Sequence, residues 1–415
     1  MYLEELKLRD FRNYAEIDVS FSPQINILIG KNAQGKTNLL EAIYVLAMAR
    51  SHRTNNEREL IGLKKKQSYL SARIVKQTGS FPLEISLSTK GKKAKVNHLE
   101  KARLSQYIGN LNVILFAPED LNLVKGSPAI RRRFIDMEFG QIDPLYLYNL
   151  TRYRIVLKQR NSYLKQLQQK KATDMLYLDV LTEQLVKFAK TIITKRLAFL
   201  KELEKQAQMI HSQITQDNEK LSFEYESSLK NIQKLSENEI AHYLQAELKQ
   251  IRAKEIFQGT TLLGPHRDDV LFMIDQKNVQ TYGSQGQQRT TALSIKLAEI
   301  ELMKAKTGEY PILLLDDVLS ELDGERQTHL LKAIQGKVQT FLTTPGLNDI
   351  TKQLLKEPKI FHIENGKITE NSEKGKDHIN WSSKYERPVE TFYPKNEKSR
   401  KDRLHKDVAG AKRDR

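Results

Sequence analysis

Eight residues near the start of the chain have the spacing of a loop that binds phosphate groups. The segment GKNAQGKT matches the pattern G-x-x-x-x-G-K-[ST] at every fixed position. It follows the apolar run INILI and precedes NLLEAIYVLAMA, which predicts a strand before the loop and a helix after it. Glycines allow a tight turn whose N–H groups face one phosphate, and the helix N-terminus favours negative charge. The predicted contacts to a nucleotide are Gly30, Lys31, Asn32, Ala33, Gln34, Gly35, Lys36 and Thr37.

Two side chains of this loop have further predicted roles. The ammonium group of Lys36 can reach the β- and γ-phosphates, and the hydroxyl of Thr37 can bind Mg²⁺. A second acidic segment, PILLLDDVLSELD, supplies the carboxylates that such a site needs. Its apolar run predicts a buried strand that ends at Asp316 and Asp317, where open α/β sheets place their ligands. We predict that Asp316 binds the metal and that Asp317 orients or deprotonates the attacking water. The alternative is an acidic turn after a core strand.

A third segment, YGSQGQQR at residues 282–289, is polar and contains two glycines. It runs directly into TTALSIKLAEIELMKAK, which has the spacing of an amphipathic helix. A phosphate loop, a late glycine loop and LLLDD followed by SELD occur in an order that resembles the ATP-binding cassette (ABC) superfamily. This resemblance implies that Ser284 and Gly286 contact the ATP held by a second subunit. It also implies that SELD, Ser320–Asp323, crosses the dimer interface.

Further segments of the sequence resemble one family within this superfamily. FRNY, SHRT, FAPEDLNLVKGSPAIRRRFID, LLGPHRDD and the three segments above closely resemble the RecF family of bacterial recombination mediators. That family is related to the heads of Rad50 and SMC proteins but lacks their long coiled coil. The resemblance covers roughly residues 1–370. It implies ATP and Mg²⁺ as cofactors, a homodimer that forms with ATP, binding to single-stranded or gapped DNA, and action with RecR and RecO in recombinational repair.

The order of the predicted elements indicates how the site is built. Strand-rich segments at both ends of the chain flank a middle that is rich in Leu, Lys, Gln and Glu. We therefore predict an α/β fold, an ABC-type ATPase head formed by both chain ends with a helical lobe inserted between them. The predicted parts are residues 1–125 and 256–370 for the ATPase domain, 126–255 for the helical lobe, and 371–415 for a basic, disordered tail. An apolar stripe runs from Leu178 to Ile192 and breaks at Lys195, which is too soon for an extended coiled coil.

The composition is that of a basic protein without a membrane segment. The 415 residues carry a formal net charge of +17, and mean hydropathy is −0.56. Such a charge favours a polyanionic partner, because Lys and Arg that contact phosphates release counterions. Neither a transmembrane run nor a secretory signal is present, and cysteine is absent, which fits a cytoplasmic location.

The candidate contacts to DNA are arginines in two segments. One pair follows the phosphate-loop helix and can reach DNA or nucleotide, and a run of three stands at a predicted helix start, although such a run can also be a solvated face. The candidates are Arg50, Arg53, Arg131, Arg132 and Arg133.

Other polar positions leave alternatives open. LGPHRDD contains His266, Arg267 and Asp268, for which a structural or interface role is favoured over a metal site. Glu119 or Asp120 are candidates for sensing the γ-phosphate. FLTTP offers Thr343 and Thr344 at the position where transporter ATPases usually place a His. Asp317 stands where many relatives have Glu. Both features favour slow turnover, which suits a switch better than a motor.

Two other classes of protein share parts of this pattern. One is the ATPase subunit of a membrane transporter, which the basic charge, the helical insertion and the missing His disfavour. The other is an ATPase linked to a nuclease, for which the sequence offers no acidic or His cluster beyond the nucleotide site.

Overall fold

The computed structural model describes residues 1–229, 231–346 and 357–370, so the predicted basic tail lies outside the described residues. The strands in chain order are β1 Tyr2–Phe11, β2 Tyr14–Ser20, β3 Ile25–Ile29, β4 Gln67–Lys76, β5 Gly79–Ser88, β6 Gly91–Val96, β7 Leu99–Glu100, β8 Val113–Phe116, β9 Leu221–Glu226, β10 Asp269–Ile274, β11 Lys277–Asn278, β12 Ile312–Asp316, β13 Thr340–Thr344, β14 Lys359–Glu364 and β15 Lys367–Glu370. The helices are α1 Lys36–Met48, α2 Leu121–Lys125, α3 Pro128–Ile142, α4 Pro144–Gln168, α5 Met175–Thr215, α6 Glu237–Gln250, α7 Arg252–Gln258, α8 Val279–Tyr282, α9 Gln285–Thr307 and α10 Gly324–Ile334.

Strands from both ends of the chain form one sheet with the order β15-β14-β3-β13-β12-β8. Its pairs are parallel except for the hairpin β14–β15. The N-terminal strand β3 lies between two strands from the C-terminal part, β13 and β14. Residues 312–315 are fully buried, as expected for a parallel strand that is covered on both faces. The prediction of an α/β head formed by both chain ends is therefore confirmed.

A second sheet, antiparallel, covers the other side of helix α1. Its order is β2-β1-β4-β5-β6-β7, and β4 alternates buried and exposed positions as a half-buried strand does. Helix α1 is buried nearly all round, because its apolar residues pack in one core with residues of both sheets. The helix that begins at the phosphate loop is thus packed between two sheets.

The helical lobe reaches further along the chain than the sequence predicts. Strand β9, inside the predicted lobe, pairs antiparallel with β10, which lies beyond the predicted boundary at residue 255. Val270, Phe272 and Ile274 of β10 pack in the same apolar core as α5 and α9. The boundary at residue 255 therefore cuts through a sheet, and the lobe extends to the start of α9.

Helix α5 also differs from its prediction. It continues for 41 residues, to Thr215, instead of losing its apolar stripe at Lys195. Phe199, Leu200 and Leu203 are buried beyond that point. The stripe contains one charged member, Arg196, which is buried in an ion pair with Asp136, so a polar residue here does not mark a helix end. None of the described helices is both long enough and apolar enough to cross a membrane.

Candidate nucleotide-binding site

The phosphate loop lies between β3 and α1 at the carboxyl edge of the parallel sheet. Gly35 has φ +122°, a region that residues with a side chain rarely adopt. At Gly30 a Cβ atom would lie 2.3 Å from the carbonyl oxygen of Ile363 in the neighbouring strand β14. Both positions therefore require glycine for a local steric reason, one because of its backbone angle and one because of a close approach.

The Lys36 side chain folds back over the loop that precedes it. Its Nζ donates hydrogen bonds to the carbonyl oxygens of Gly30, at 2.5 Å, and Lys31, at 3.0 Å. Burial lowers the pKa of Lys36, while the negative charges of Asp317 and Asp316 act in the opposite direction. The ammonium group is thus placed within the loop, on the side of the two carboxylates.

Asp316 joins the ends of three structural elements. Its Oδ1 accepts hydrogen bonds from the Thr37 hydroxyl at the start of α1 and from the Thr343 hydroxyl near the end of β13, both at 2.9 Å. Hydroxyl and carboxylate oxygens are the hard ligands that Mg²⁺ prefers. The residues present therefore fit the predicted metal, which Thr37 and Asp316 would hold.

Asp317 has a backbone conformation that fixes the turn after β12. Its φ is +54°, and its N–H donates to the Thr343 hydroxyl at 2.9 Å. Its carbonyl oxygen accepts from the Ser320 hydroxyl at 2.7 Å. Aspartate is among the residues that adopt this left-handed conformation most readily. The sequence analysis singled out Thr343 only because it replaces a His. In the structure its hydroxyl contacts both acidic residues.

A network of hydrogen bonds that the sequence analysis did not predict supports the phosphate loop and helix α1. The hydroxyl of Tyr14 donates to the carbonyl oxygen of Gly35 at 2.9 Å. Arg12 forms two hydrogen bonds, of 2.7 and 2.8 Å, with the fully buried carboxylate of Glu41 in α1. Burial alone raises the pKa of Glu41, but the hydrogen bonds from Arg12 and Ser51 hold it below its usual value. The segments FRNY and SHRT could have indicated this network, because they contain Arg12, Tyr14 and Ser51.

The glycine loop before α9 is organised by a helix cap. The Ser284 side chain accepts from the N–H of Gln287, whose side chain accepts from the N–H of Ser284, forming a capping box. Arg326 of α10 donates to the carbonyl oxygen of Gly286 at 3.2 Å and forms an ion pair with Asp323. The glycine loop is thus connected to the SELD segment, and the described contacts of Ser284 and Gly286 do not include the phosphate loop of the same chain.

Comparisons with known proteins identify the family. Residues 2–369 match the sequence model of the RecF/RecN/SMC N terminal domain. The chain is 68% identical over 370 residues to the DNA replication and repair protein RecF of Ligilactobacillus salivarius, covering 89% of this chain and 98% of that protein. It is 54% identical over 368 residues to the same-named protein of Bacillus subtilis, covering 89% and 100%.

This chain belongs to the RecF family.

Solved structures agree with the fold. The structure described as the recombination mediator protein RecF-ATPrS in the RecFOR pathway superposes with a TM-score of 0.83 at 32% identity, covering 89% of this chain and 98% of that one. An Smc head bound to the C-winged helix domain of ScpA gives a TM-score of 0.52 at 16% identity, covering 90% and 98%, which supports the fold alone. This RecF-family chain therefore has the ABC-type ATPase head that its motifs predict.

The five candidate arginines occupy different environments. Arg131 is only 3% exposed and forms a bidentate ion pair with Asp269, with distances of 2.6 and 2.8 Å. It therefore cannot contact DNA without breaking a buried pair, and the prediction for this residue is corrected. Arg53 is 45% exposed and contacts Asn38 and Glu41 of α1, which places it beside the phosphate-loop helix.

The other three arginines differ in exposure and in their neighbours. Arg133 is exposed, and Arg132 is half-buried with one donor on the carbonyl oxygen of Asp268. Burial lowers the pKa of Arg50, and the positive charges of Arg133 and Arg154 lower it further. The charge of Arg50 is therefore felt together with those of Arg133 and Arg154, although the chain separates Arg50 from Arg133 by about 80 residues.

The remaining polar candidates have structural partners. His266 hydrogen bonds with Tyr153 and with the carbonyl oxygen of Thr261, and no group of three or more potential metal ligands occurs among the described residues. Asp120 accepts from the N–H of Ala117 and caps a short turn, and burial raises its pKa. Glu119 is exposed.

Proposed function

We propose that this RecF-family protein is an ATP-dependent DNA-binding protein of DNA replication and repair. The observation that carries the proposal is the meeting of Thr37, Asp316 and Thr343 beside a complete phosphate loop. The relatives described as DNA replication and repair proteins, and the solved structure described as RecF-ATP, support it. A cytoplasmic location is part of the proposal, because those relatives act on DNA.

In the proposed mechanism each residue of the site has a separate task. The loop N–H groups and Lys36 bind the phosphates, since a charge-assisted hydrogen bond is stronger than a neutral one. Thr37 and Asp316 would hold Mg²⁺, which would neutralise charge on the phosphate oxygens. Asp317 orients or deprotonates water, and the rigid turn at that residue fixes its position. Slow hydrolysis then makes the protein a switch.

The proposed switch is closure of a homodimer. A ligand promotes association only if it binds the dimer more tightly than the monomer. Ser284 and Gly286 supply that difference if they reach the γ-phosphate held by the partner, which ADP lacks. The capping box and the contact from Arg326 support this role, because they hold the loop in shape without using the protein's own phosphate loop.

The proposed partners of the closed dimer are DNA and two mediator proteins. The net charge of +17 favours DNA, and single-stranded or gapped DNA is the proposed form. RecR and RecO are proposed because a solved relative is described as part of the RecFOR pathway.

The decisive experiment measures DNA binding by the purified full chain with ATP, with ADP and without nucleotide. Gapped, single-stranded and duplex DNA are compared by fluorescence anisotropy at constant ionic strength. ATP is expected to increase affinity for gapped or single-stranded DNA, while ADP has little effect. Equal affinity with all nucleotides would contradict the proposal. DNA cleavage in the presence of Mg²⁺ or Mn²⁺ would favour a nuclease-linked ATPase instead.

A further inference from the structure

A concave site whose lining does not include the phosphate loop lies in the helical lobe. It is a cavity of about 200 Å³ between α3, α4, α5 and the turn at residues 264–266. A single water needs only roughly 15 Å³, so the cavity can hold a ligand of several atoms. Part of its wall is apolar and includes Leu150, Tyr153 and Leu157. Its cationic lining residues are Arg132, Arg133, Arg154 and Arg196.

The positive charge of this cavity is only partly neutralised. The carboxylate in its lining is Asp136, which binds Arg196 at 2.7 Å and Arg154 at 2.9 Å. Arg133 forms no hydrogen bond or ion pair with any residue that the structure describes. Four arginines and one carboxylate leave a surplus of about three positive charges, because His266 has a pKa lowered by burial to about 4 and is neutral.

Part of the cavity wall is built with fixed hydrogen bonds. His266 Nε2 lies 3.2 Å from the carbonyl oxygen of Thr261, which can only accept, so this nitrogen donates. Nδ1 then accepts from the Tyr153 hydroxyl at 2.6 Å. Gly264 has φ +121°, and a Cβ atom there would lie 2.7 Å from the Tyr153 oxygen. The segment LGPH therefore positions an aromatic ring against the arginines, which explains the motif without a metal.

Arg196 and Arg133 have different tasks in this arrangement. Arg196 is 2% exposed and uses its donors on Tyr146, Pro265 and Asp136, so it stabilises the wall. Arg133 and Arg154 are exposed at the mouth, and Arg154 keeps 57% of its side chain accessible. Donors on exposed, incompletely paired guanidinium groups are available to an anion, and their planar shape suits phosphate oxygens.

We propose that this cavity binds a phosphomonoester, either the terminal phosphate of a DNA strand or that of a free nucleotide. The surplus of positive charge matches a dianionic monoester better than the single charge of an internal phosphodiester. The concave shape argues in the same direction, because an internal phosphate carries a nucleoside on both sides and runs along a groove. The DNA source rests on the proposed function, while the free nucleotide does not.

The test uses the full chain with ATP and an internally labelled DNA whose ends carry a 5′-phosphate, a 3′-phosphate or only hydroxyls. Wild-type protein is expected to bind one phosphorylated form about tenfold more tightly than the hydroxyl form. Arg133→Ala removes an exposed cation that has no partner among the described residues, and is expected to abolish this preference without lowering thermal stability. Arg133→Lys is expected to retain part of it. The matched control is Arg152→Ala in α4, a helix that contributes other residues to the cavity wall, because Arg152 stacks on Tyr148 and is not a lining residue.

A calorimetric titration with thymidine monophosphate distinguishes the two sources. If DNA shows no end preference but Arg133→Ala weakens thymidine monophosphate binding by about tenfold, the ligand is a free phosphomonoester. The proposal is overturned if neither ligand depends on Arg133, or if Arg152→Ala has the same effect as Arg133→Ala. The proposed function is tested separately by DNA whose ends carry only hydroxyls. If this DNA binds in an ATP-dependent manner, the proposed function is supported even when the cavity proposal fails. If it does not, the proposed function is contradicted.

Discussion

Among single residues, Lys36 gives the most direct test of ATP binding by the phosphate loop. Its Nζ lies inside the loop, and a charge-assisted hydrogen bond contributes about 1.5–3 kcal/mol. Lys36→Ala is expected to weaken ATP binding about tenfold or more in equilibrium dialysis. Lys31→Ala is the matched control, because Lys31 contributes its carbonyl oxygen to the loop and its side chain is exposed. Equal ATP affinity of wild type and a folded Lys36→Ala would contradict the assignment.

The two adjacent carboxylates are expected to separate metal binding from hydrolysis. Asp317→Asn should retain binding of ATP and Mg²⁺, lose most hydrolysis and accumulate the closed dimer, because only the group that acts on water is altered. Asp316→Asn should also weaken Mg²⁺-dependent ATP binding, because Asp316 is the proposed metal ligand. Phosphate release and nucleotide binding are measured side by side. Undiminished hydrolysis in Asp317→Asn would transfer the role to Glu119 or Asp120.

His266 is expected to make the protein sensitive to acid. Burial, together with the positive charges of Arg267 and Arg132, lowers its pKa from 6.5 to about 4. The unfolded chain therefore binds the proton first, and stability falls as pH decreases from 6.5 towards 4, by up to about 3 kcal/mol. His266→Gln should flatten this part of the profile, since Gln can donate to Thr261 and accept from Tyr153 without titrating. Parallel pH profiles of urea unfolding for both proteins would refute the idea.

At the scale of elements, helix α9 connects the glycine loop to dimer formation. Ser284→Arg is expected to leave a monomer that binds ATP with near-normal affinity but does not dimerise, because a bulky group occupies the place of the partner's phosphate. Light scattering with ATP, ADP and no nucleotide measures the dimer. A mutant that still dimerises with ATP would show that the loop is a surface turn.

A second variant controls for the loss of the helix cap. Ser236 caps α6 with a similar capping box, formed with Glu239. Replacing an N-cap by Ala costs about 0.5–2 kcal/mol, so Ser236→Ala should lower stability without affecting ATP-dependent dimerisation. A dimerisation defect in Ser236→Ala equal to that of Ser284→Arg would indicate a general effect of helix stability.

At the scale of the whole molecule, the charge distribution determines how DNA binding responds to salt. Residues 395–415 contain nine Lys or Arg against four Asp or Glu. Affinity is expected to fall linearly with salt on a log–log plot, with a slope set by the number of phosphate contacts. A chain that ends at residue 370 should show a shallower slope and keep the effect of ATP. Affinity that does not change with salt would contradict the electrostatic argument.

Much of the fold could be predicted because its signals are local. The parallel strands β3 and β12 are short apolar runs, of which β3 leads into a glycine and β12 ends in a carboxylate, and α1 follows its loop without interruption. The extent of α5 and of the lobe could not be predicted in the same way. Arg196 looks like a polar interruption until its partner Asp136, 60 residues away, removes the cost of burying it. Similarly, β9 gains its pairing from β10, which is distant in the chain.

The chemistry of the candidate nucleotide site could be predicted from the amino-acid sequence alone, because the motif fixes residue types at spacings that a strand, a turn and a helix position locally. The three adjacent arginines of α3 differ in burial and in their partners, and this difference is visible only in the tertiary structure. Successive residues of a helix point about 100° apart, so Arg131 faces the core and Arg133 faces solvent. Which of them remains available to an anion depends on Asp269, 138 residues away, and no local pattern in the sequence contains that contact.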